Sequence, residues 1–253
     1  MRRIVFLLIF SLAASLGFIF ADDTLSGEEI MELVDANQFY GSARFESDMI
    51  ILDRGREIRK QMISYTVSDG TVTHALSEFT NPRDRGTKYL LLDDELWMYF
   101  PDAEDLVRIS GHMLEQNMMG SDFSYQDALE SEKLTDLYTF EKTGEETYEG
   151  RRVYVLEAYA APDSRPAYYH RRFLVDAERF VILKDEMYAR GGRLLKEMIT
   201  TKVEEVQQDR WMPMEMVMED KLKAGSQTRL VITKLELDYE MPSGLFSLRS
   251  LQR

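Results

Sequence analysis

Residues able to do acid–base or metal chemistry are few in this chain and widely scattered. His74, His112 and His170 are its three histidines, and none sits in a metal-binding spacing such as HExxH. There is no cysteine, which excludes thiol catalysis, cysteine-ligated zinc and disulfide staples. No GxSxG elbow, P-loop or GxGxxG turn occurs. The acid pairs Asp93-Asp94 and Glu204-Glu205 fall in an expected turn and on a solvated strand, where paired carboxylates are ordinary surface charge. The expectation is therefore no enzyme, with no catalytic residue, no cofactor and no metal site.

The chemistry the sequence does offer is soft apolar contact. Trp211 to Glu219 reads WMPMEMVME, and in a strand alternate residues share a face, so Met212, Met214, Met216 and Met218 form one methionine stripe. Methionine fixes packing poorly, which suits a surface whose occupant varies in shape. Two readings follow: a methionine-rich core strand, or one wall of an apolar cavity. A second stretch, Arg108 to Leu129, adds Met113, Met118 and Met119 with Phe123 and Tyr125, and shows no amphipathic period over most of its length. Connectors longer than about 12–15 residues are usually lids or binding loops, so this one is expected to cover the cavity. Trp97 and Tyr99 share a face of the aromatic strand Leu96–Phe100, and either line the same cavity or form core against the first helix.

Elements to position these residues can be read in order. Ser26 and Glu29 fit a capping box, and Ile30, Leu33, Val34 and Asn37 follow at helical spacing, predicting a helix over 27–38. The period then switches to two. Strands are expected over 43–52, 57–67, 71–79, 88–92, 96–100 and 107–109, with hairpin signals at Asp53–Arg56 and at Ser68-Asp69-Gly70. One or two helical turns fit 126–137. Strands resume over 138–142, 152–159, 168–176, 181–188, 194–205, 211–222 and 228–239. These thirteen ranges, in round terms about ten full antiparallel strands with few helices, have the pattern of a sandwich or barrel. A strongly curved, unclosed barrel plugged by helices satisfies this order; a closed barrel with a mouth is the competitor.

Arg2 and Arg3, the apolar run Ile4 to Phe20, and Ala21 before Asp22-Asp23 have the layout of a secretory signal peptide cleaved after Ala21. The alternative is an uncleaved membrane anchor. Residues 22–253 then form a single domain, with no Pro/Gly-rich linker or repeat to divide it. Loss of Arg2 and Arg3 takes the net charge from −14 to −16, which repels phosphate backbones, so nucleic acid is not an expected partner.

Four blocks, Asn81–Thr87 (NPRDRGT), Leu96–Pro101 (LWMYFP), Arg108–Gly111 (RISG) and Met119–Asp127 (MGSDFSYQD), resemble the LolA-like outer-membrane lipoprotein-sorting proteins in order and spacing. The resemblance implies a mainly β fold with a few helices, an unclosed antiparallel β-barrel covered by helices and enclosing an apolar cavity for acyl chains. It implies a monomeric periplasmic carrier that binds the acyl chains of lipoproteins or phospholipid and shuttles them between envelope membranes. An inner-membrane transporter and an outer-membrane acceptor would be its partners. The alternative is a non-carrier binding subunit of an envelope transporter complex. Arg83 and Arg85 are then candidates for gripping a head group or holding the lid shut, or they simply pair with Asp84, Asp122 or another acid.

Overall fold

The structure is a computed structural model that describes residues 25–38, 41–68, 72–92, 94–130 and 134–252; the signal-peptide expectation lies outside them. Helix α1 spans Gly27–Gln38 and starts on the expected capping box. Ser26 N donates to Glu29 Oε2 at 2.8 Å, and Glu29 N donates to Ser26 Oγ at 3.2 Å. Six strands follow: β1 Ser42–Asp53, β2 Arg56–Ser68, β3 Thr73–Phe79, β4 Lys88–Leu92, β5 Glu95–Phe100 and β6 Asp105–Ile109. After two single 3-10 turns come α2, Tyr125–Glu130, and α3, Leu134–Leu137. The second series is β7 Tyr138–Tyr148, β8 Arg151–Ala160, β9 His170–Asp176, β10 Ile182–Tyr188, β11 Leu194–Gln207, β12 Arg210–Asp220 and β13 Ser226–Leu237, and α4, Leu248–Leu251, closes the chain.

All the strands join one antiparallel sheet in the order β6-β5-β4-β3-β2-β1-β13-β12-β11-β10-β9-β8-β7. Each of the thirteen expected ranges holds a strand, and the short strands β4, β5 and β6 pair as full members, so the round figure of about ten was low. The first strand meets the last at the centre, and each series fans outward by hairpins, leaving β6 and β7 as edges that do not pair with each other among the described residues. The barrel is therefore unclosed.

This order dictates where the chain between β6 and β7 must run. Residues 110–130 leave one edge of the sheet and 134–137 lead into the other, and the described residues lie against a face of the sheet. The face they cross is the inner one: Tyr125 is buried with Met49, Phe79, Tyr89 and Met98 of β1–β5, while Phe123 packs against Tyr168, Met187 and Met218 of the opposite half. The cover is helical only in short pieces: two 3-10 turns, α2 and α3 are separated by non-helical turns and one bridge, with Gly111, Met119 and Gly120 at positive φ of 57°, 53° and 80°, conformations that interrupt a right-handed helix.

Helix α1 fills the other part of the inner face. Ile30, Met31 and Val34 bury against Tyr138, Phe140, Leu156 and Phe173 of β7–β9. Its start seals the β7 edge: Phe140 N donates to Glu28 Oε1 at 2.8 Å, supplying an acceptor to an edge amide that would otherwise invite another strand. Gly27 must be glycine for this approach, since a Cβ there would lie 2.7 Å from the Phe140 carbonyl carbon and oxygen. Asn37 ties the far end, donating to Arg179 O at 2.8 Å and accepting from Trp211 N at 2.7 Å.

Candidate functional site

Between α1 and the crossing segment the inner face leaves a cavity of about 440 Å³, inside the range of roughly 300–1,000 Å³ usual for small-molecule pockets. Alternation along the strands determines what lines it. β1 contributes Phe45, Ser47 and Met49, β2 Met62 and Ser64, and β3 Ala75, Ser77 and Phe79. On the other side stand Met187 of β10, Met198 and Thr200 of β11, and Met216 and Met218 of β12. With Met118 and Met212, eight of the chain's fifteen methionines reach this one space. Such a wall adapts to its occupant instead of fixing one shape.

The expected stripe on β12 is interrupted. Met212, Met216 and Met218 line the cavity, but Met214 does not, although it is buried. Across to β11, Lys202 pairs with Glu215 and Val203 with Pro213, so Met214 is the extra residue of a bulge, beside a proline that cannot donate to the ladder. Trp97 and Tyr99 lie on the opposite face of the sheet. They pack with Leu76, Leu90 and the C-terminal Leu245, Phe246 and Leu251, while their neighbours Leu96 and Met98 take the inner face. The aromatic strand was legible, but which of its faces turned inward was not. In the crossing segment, Met118 and Phe123 reach the cavity. Met113, Met119 and Tyr125 instead pack beside it against the β1–β5 wall.

Arg83 and Arg85 stand exposed on the β3–β4 turn, away from the cavity wall. The acids proposed as their partners are occupied otherwise. Asp84 accepts from Lys60 Nζ at 2.7 Å and Asn81 Nδ2 at 2.7 Å. Burial raises the Asp84 carboxyl, but these bonds and the Lys60 and Arg83 charges bring it below its ordinary range. Asp122 is held by hydroxyls: Thr228 Oγ1 donates to Oδ2 at 2.7 Å and Ser226 Oγ donates to Oδ1.

Three carboxylates fasten the crossing segment over the cavity, a role that sequence reasoning gave to none of them. Asp122 and Thr228 are both fully enclosed, and Asp122 N donates back to Thr228 Oγ1 at 2.9 Å. Asp127 caps α2 by accepting from Ser124 N at 2.7 Å, and it also takes Tyr168 OH at 2.6 Å and Lys196 Nζ at 2.7 Å. Burial raises the Asp127 carboxyl, but Lys196, Tyr168 and the Ser124 amide outweigh burial and hold it below the usual carboxylate range. Glu130 accepts from Ala167 N at 2.8 Å and Gln126 Nε2 at 2.6 Å; burial dominates there and pushes its carboxyl up. Nearby, buried Arg171 makes a two-point contact with the fully enclosed Asp185, and its guanidinium keeps its proton. The sequence-level trace of this latch was Ser124-x-x-Asp127, a capping pattern hidden inside an apolar connector.

The histidines do not converge. His74 lies on β3 beside Phe246, His112 is exposed in a 3-10 turn, and His170 is stacked between Tyr159 and Tyr188 with Nε2 bonded to Glu157. No cluster of metal-ligating side chains occurs among the described residues. What the arrangement can do is enclose an apolar, flexible guest under a polar latch.

A family model described as "Uncharacterized protein"-like matches residues 71–253. No curated protein matches the chain. Among solved structures, a DUF1329 family protein from Desulfovibrio piger is similar at 25% identity and TM-score 0.83, covering 89% of this chain and 97% of that one. A putative outer membrane lipoprotein-sorting protein domain from Vibrio parahaemolyticus is also 25% identical, with TM-score 0.79 over 90% of this chain and 98% of that one. A LolA superfamily protein from Nitrosomonas europaea shares the fold at 20% identity and TM-score 0.71, over 90% of this chain and 100% of that one. The family model spans well over half of the chain, which therefore belongs to that family, and its likeness to the DUF1329 protein, the lipoprotein-sorting domain and the LolA superfamily protein is consistent with a broader LolA-like branch.

Proposed function

We propose that this protein is a periplasmic carrier that binds acyl chains of lipoproteins or phospholipid in the methionine-lined cavity and moves them between envelope membranes. The observation that carries the reading is the cavity itself: about 440 Å³, walled by both halves of an unclosed sheet and roofed by a segment that the topology forces across the opening. Each methylene moved out of water into such a space gains about 0.8 kcal/mol. Against a bilayer the gain is close to zero, since both surroundings are apolar. Loading and release then depend on small differences, and a latch of a few hydrogen bonds supplies differences of that size.

The test is transfer. Donor vesicles carrying a self-quenched fluorescent phospholipid or diacylated lipopeptide are mixed with acceptor vesicles, with and without the protein. Catalysed dequenching that is lost in M216E supports a carrier. Transfer no faster than the protein-free rate for either cargo sinks it.

A further inference from the structure

Among the described residues, one buried side-chain polar atom has no hydrogen-bond partner: Ser47 Oγ. Ser47 is 4% exposed and lies on the cavity wall. Leaving a buried hydroxyl unpaired is costly, and an alanine would fill the same place in an apolar wall at no such cost. Opposite this position the partner strand is irregular: the β1–β13 register slips between Glu46 and Ser47, leaving Thr233 as the extra residue of a bulge in β13.

Ser47 does not stand alone. Ser64 of β2 and Ser77 of β3 also line the cavity, with their hydroxyls 2.8 Å apart. Ser64 is register partner to Phe45, two residues from Ser47 on the same face, so the three hydroxyls form a short polar stripe across β1, β2 and β3. In a pair of hydroxyls one hydrogen is used between them and the other is free. The stripe thus presents two unused donors to the interior of an otherwise apolar wall.

The groups that fit are neutral acceptors within an apolar molecule. A free carboxylate fits less well: Arg171 on the wall is already paired with Asp185, Lys196 is taken up by the wall residue Asp127, and Glu130 adds a further carboxylate. We propose that Ser47, Ser64 and Ser77 form a carbonyl-binding subsite that recognises the ester linkages of a diacylglycerol unit, with the acyl chains running into the methionine-lined space. The inference rests on the carrier reading and narrows its cargo to acyl esters rather than free fatty acids. A diacylglycerol unit occurs in phospholipid and in the lipid anchor of diacylated lipopeptides.

The experiment compares each cargo with its ether analogue, which keeps the chains and head group but lacks the carbonyl oxygens. Diacyl and dialkyl phosphatidylethanolamine, and a diacylated lipopeptide with its dialkyl counterpart, are titrated into delipidated protein in detergent-free solution. We expect the diester to bind about tenfold tighter than the diether, the scale of one buried hydrogen bond gained, in at least one series, which then identifies the source. S47A should bring the ratio of diester to diether binding toward one, and S64A/S77A should do the same in part. Equal binding of ester and ether in both series overturns the subsite and leaves the carrier intact. Binding of neither form overturns the carrier reading itself.

Discussion

Asp127 offers the sharpest test of how the roof is held. Its carboxylate accepts from Lys196 Nζ at 2.7 Å, Tyr168 OH at 2.6 Å and Ser124 N at 2.7 Å, with its side chain 8% exposed and that of Lys196 12%. D127N keeps the shape, and its amide oxygen still accepts from Tyr168 or the Ser124 amide. It removes the counter-ion of an almost enclosed ammonium. Breaking a buried ion pair from one side costs ~3–5 kcal/mol, and the surviving hydrogen bonds place D127N near the lower end. Urea unfolding measures the global loss. Hydrogen exchange shows where it falls: protection should drop first in 111–130 and least in the β8–β9 core. The double variant D127N/K196M, which leaves no stranded charge, should recover much of the stability. A loss below about 0.5 kcal/mol, the level of an ordinary surface substitution, or a loss of protection spread evenly through the sheet, would refute the latch.

Other consequences are equally direct. G27A places a Cβ 2.7 Å from the Phe140 carbonyl and should destabilise the protein by about 1–3 kcal/mol, as overpacking does, with exchange protection lost first in α1 and β7. The Asp84, Asp127 and Asp176 carboxyls are each held below their ordinary value in the folded chain. Each therefore contributes stability that is fully present above an unfolded-state pKa of about 4 and is lost as pH falls through the lower folded value; urea midpoints should drop from pH 4 to pH 3, and a midpoint that rises over that interval would contradict this. M198E should abolish lipid uptake while W97A, on the outer face, lowers stability but leaves uptake per folded molecule unchanged. Uptake lost in W97A alone would place the site elsewhere.

How far the sequence revealed this protein depended on whether the signal was local. The α1 capping box and the hairpin turns are set by neighbouring residues, so the helix and most strands stood where periodicity put them. Periodicity groups residues by face but does not orient the face. That is why Trp97 and Tyr99 turned outward while the less conspicuous Leu96 and Met98 turned in. The stripe on β12 failed at Met214 because a bulge depends on the partner strand, here β11, and nothing within WMPMEMVME specifies it beyond Pro213. Met49, Met62, Met187 and Met198 reach the cavity from strands far apart in the chain. Each looks like ordinary core in its own segment, and only the sheet order brings them together. The latch was hidden for the same reason: Asp127 sits 69 residues from Lys196 and Asp122 sits 106 from Thr228.

The central claim is that the inner face of the sheet holds acyl chains. Native mass spectrometry of the chain from Asp22 onward, purified from the periplasm without detergent and followed by lipid extraction, tests it most directly. The account predicts a population carrying a mass increment that extraction identifies as phospholipid or acylated peptide, and that is absent from M198E. A single unliganded mass that takes up no lipid from added vesicles would contradict it, and the methionine-lined space would then be packing rather than a binding site.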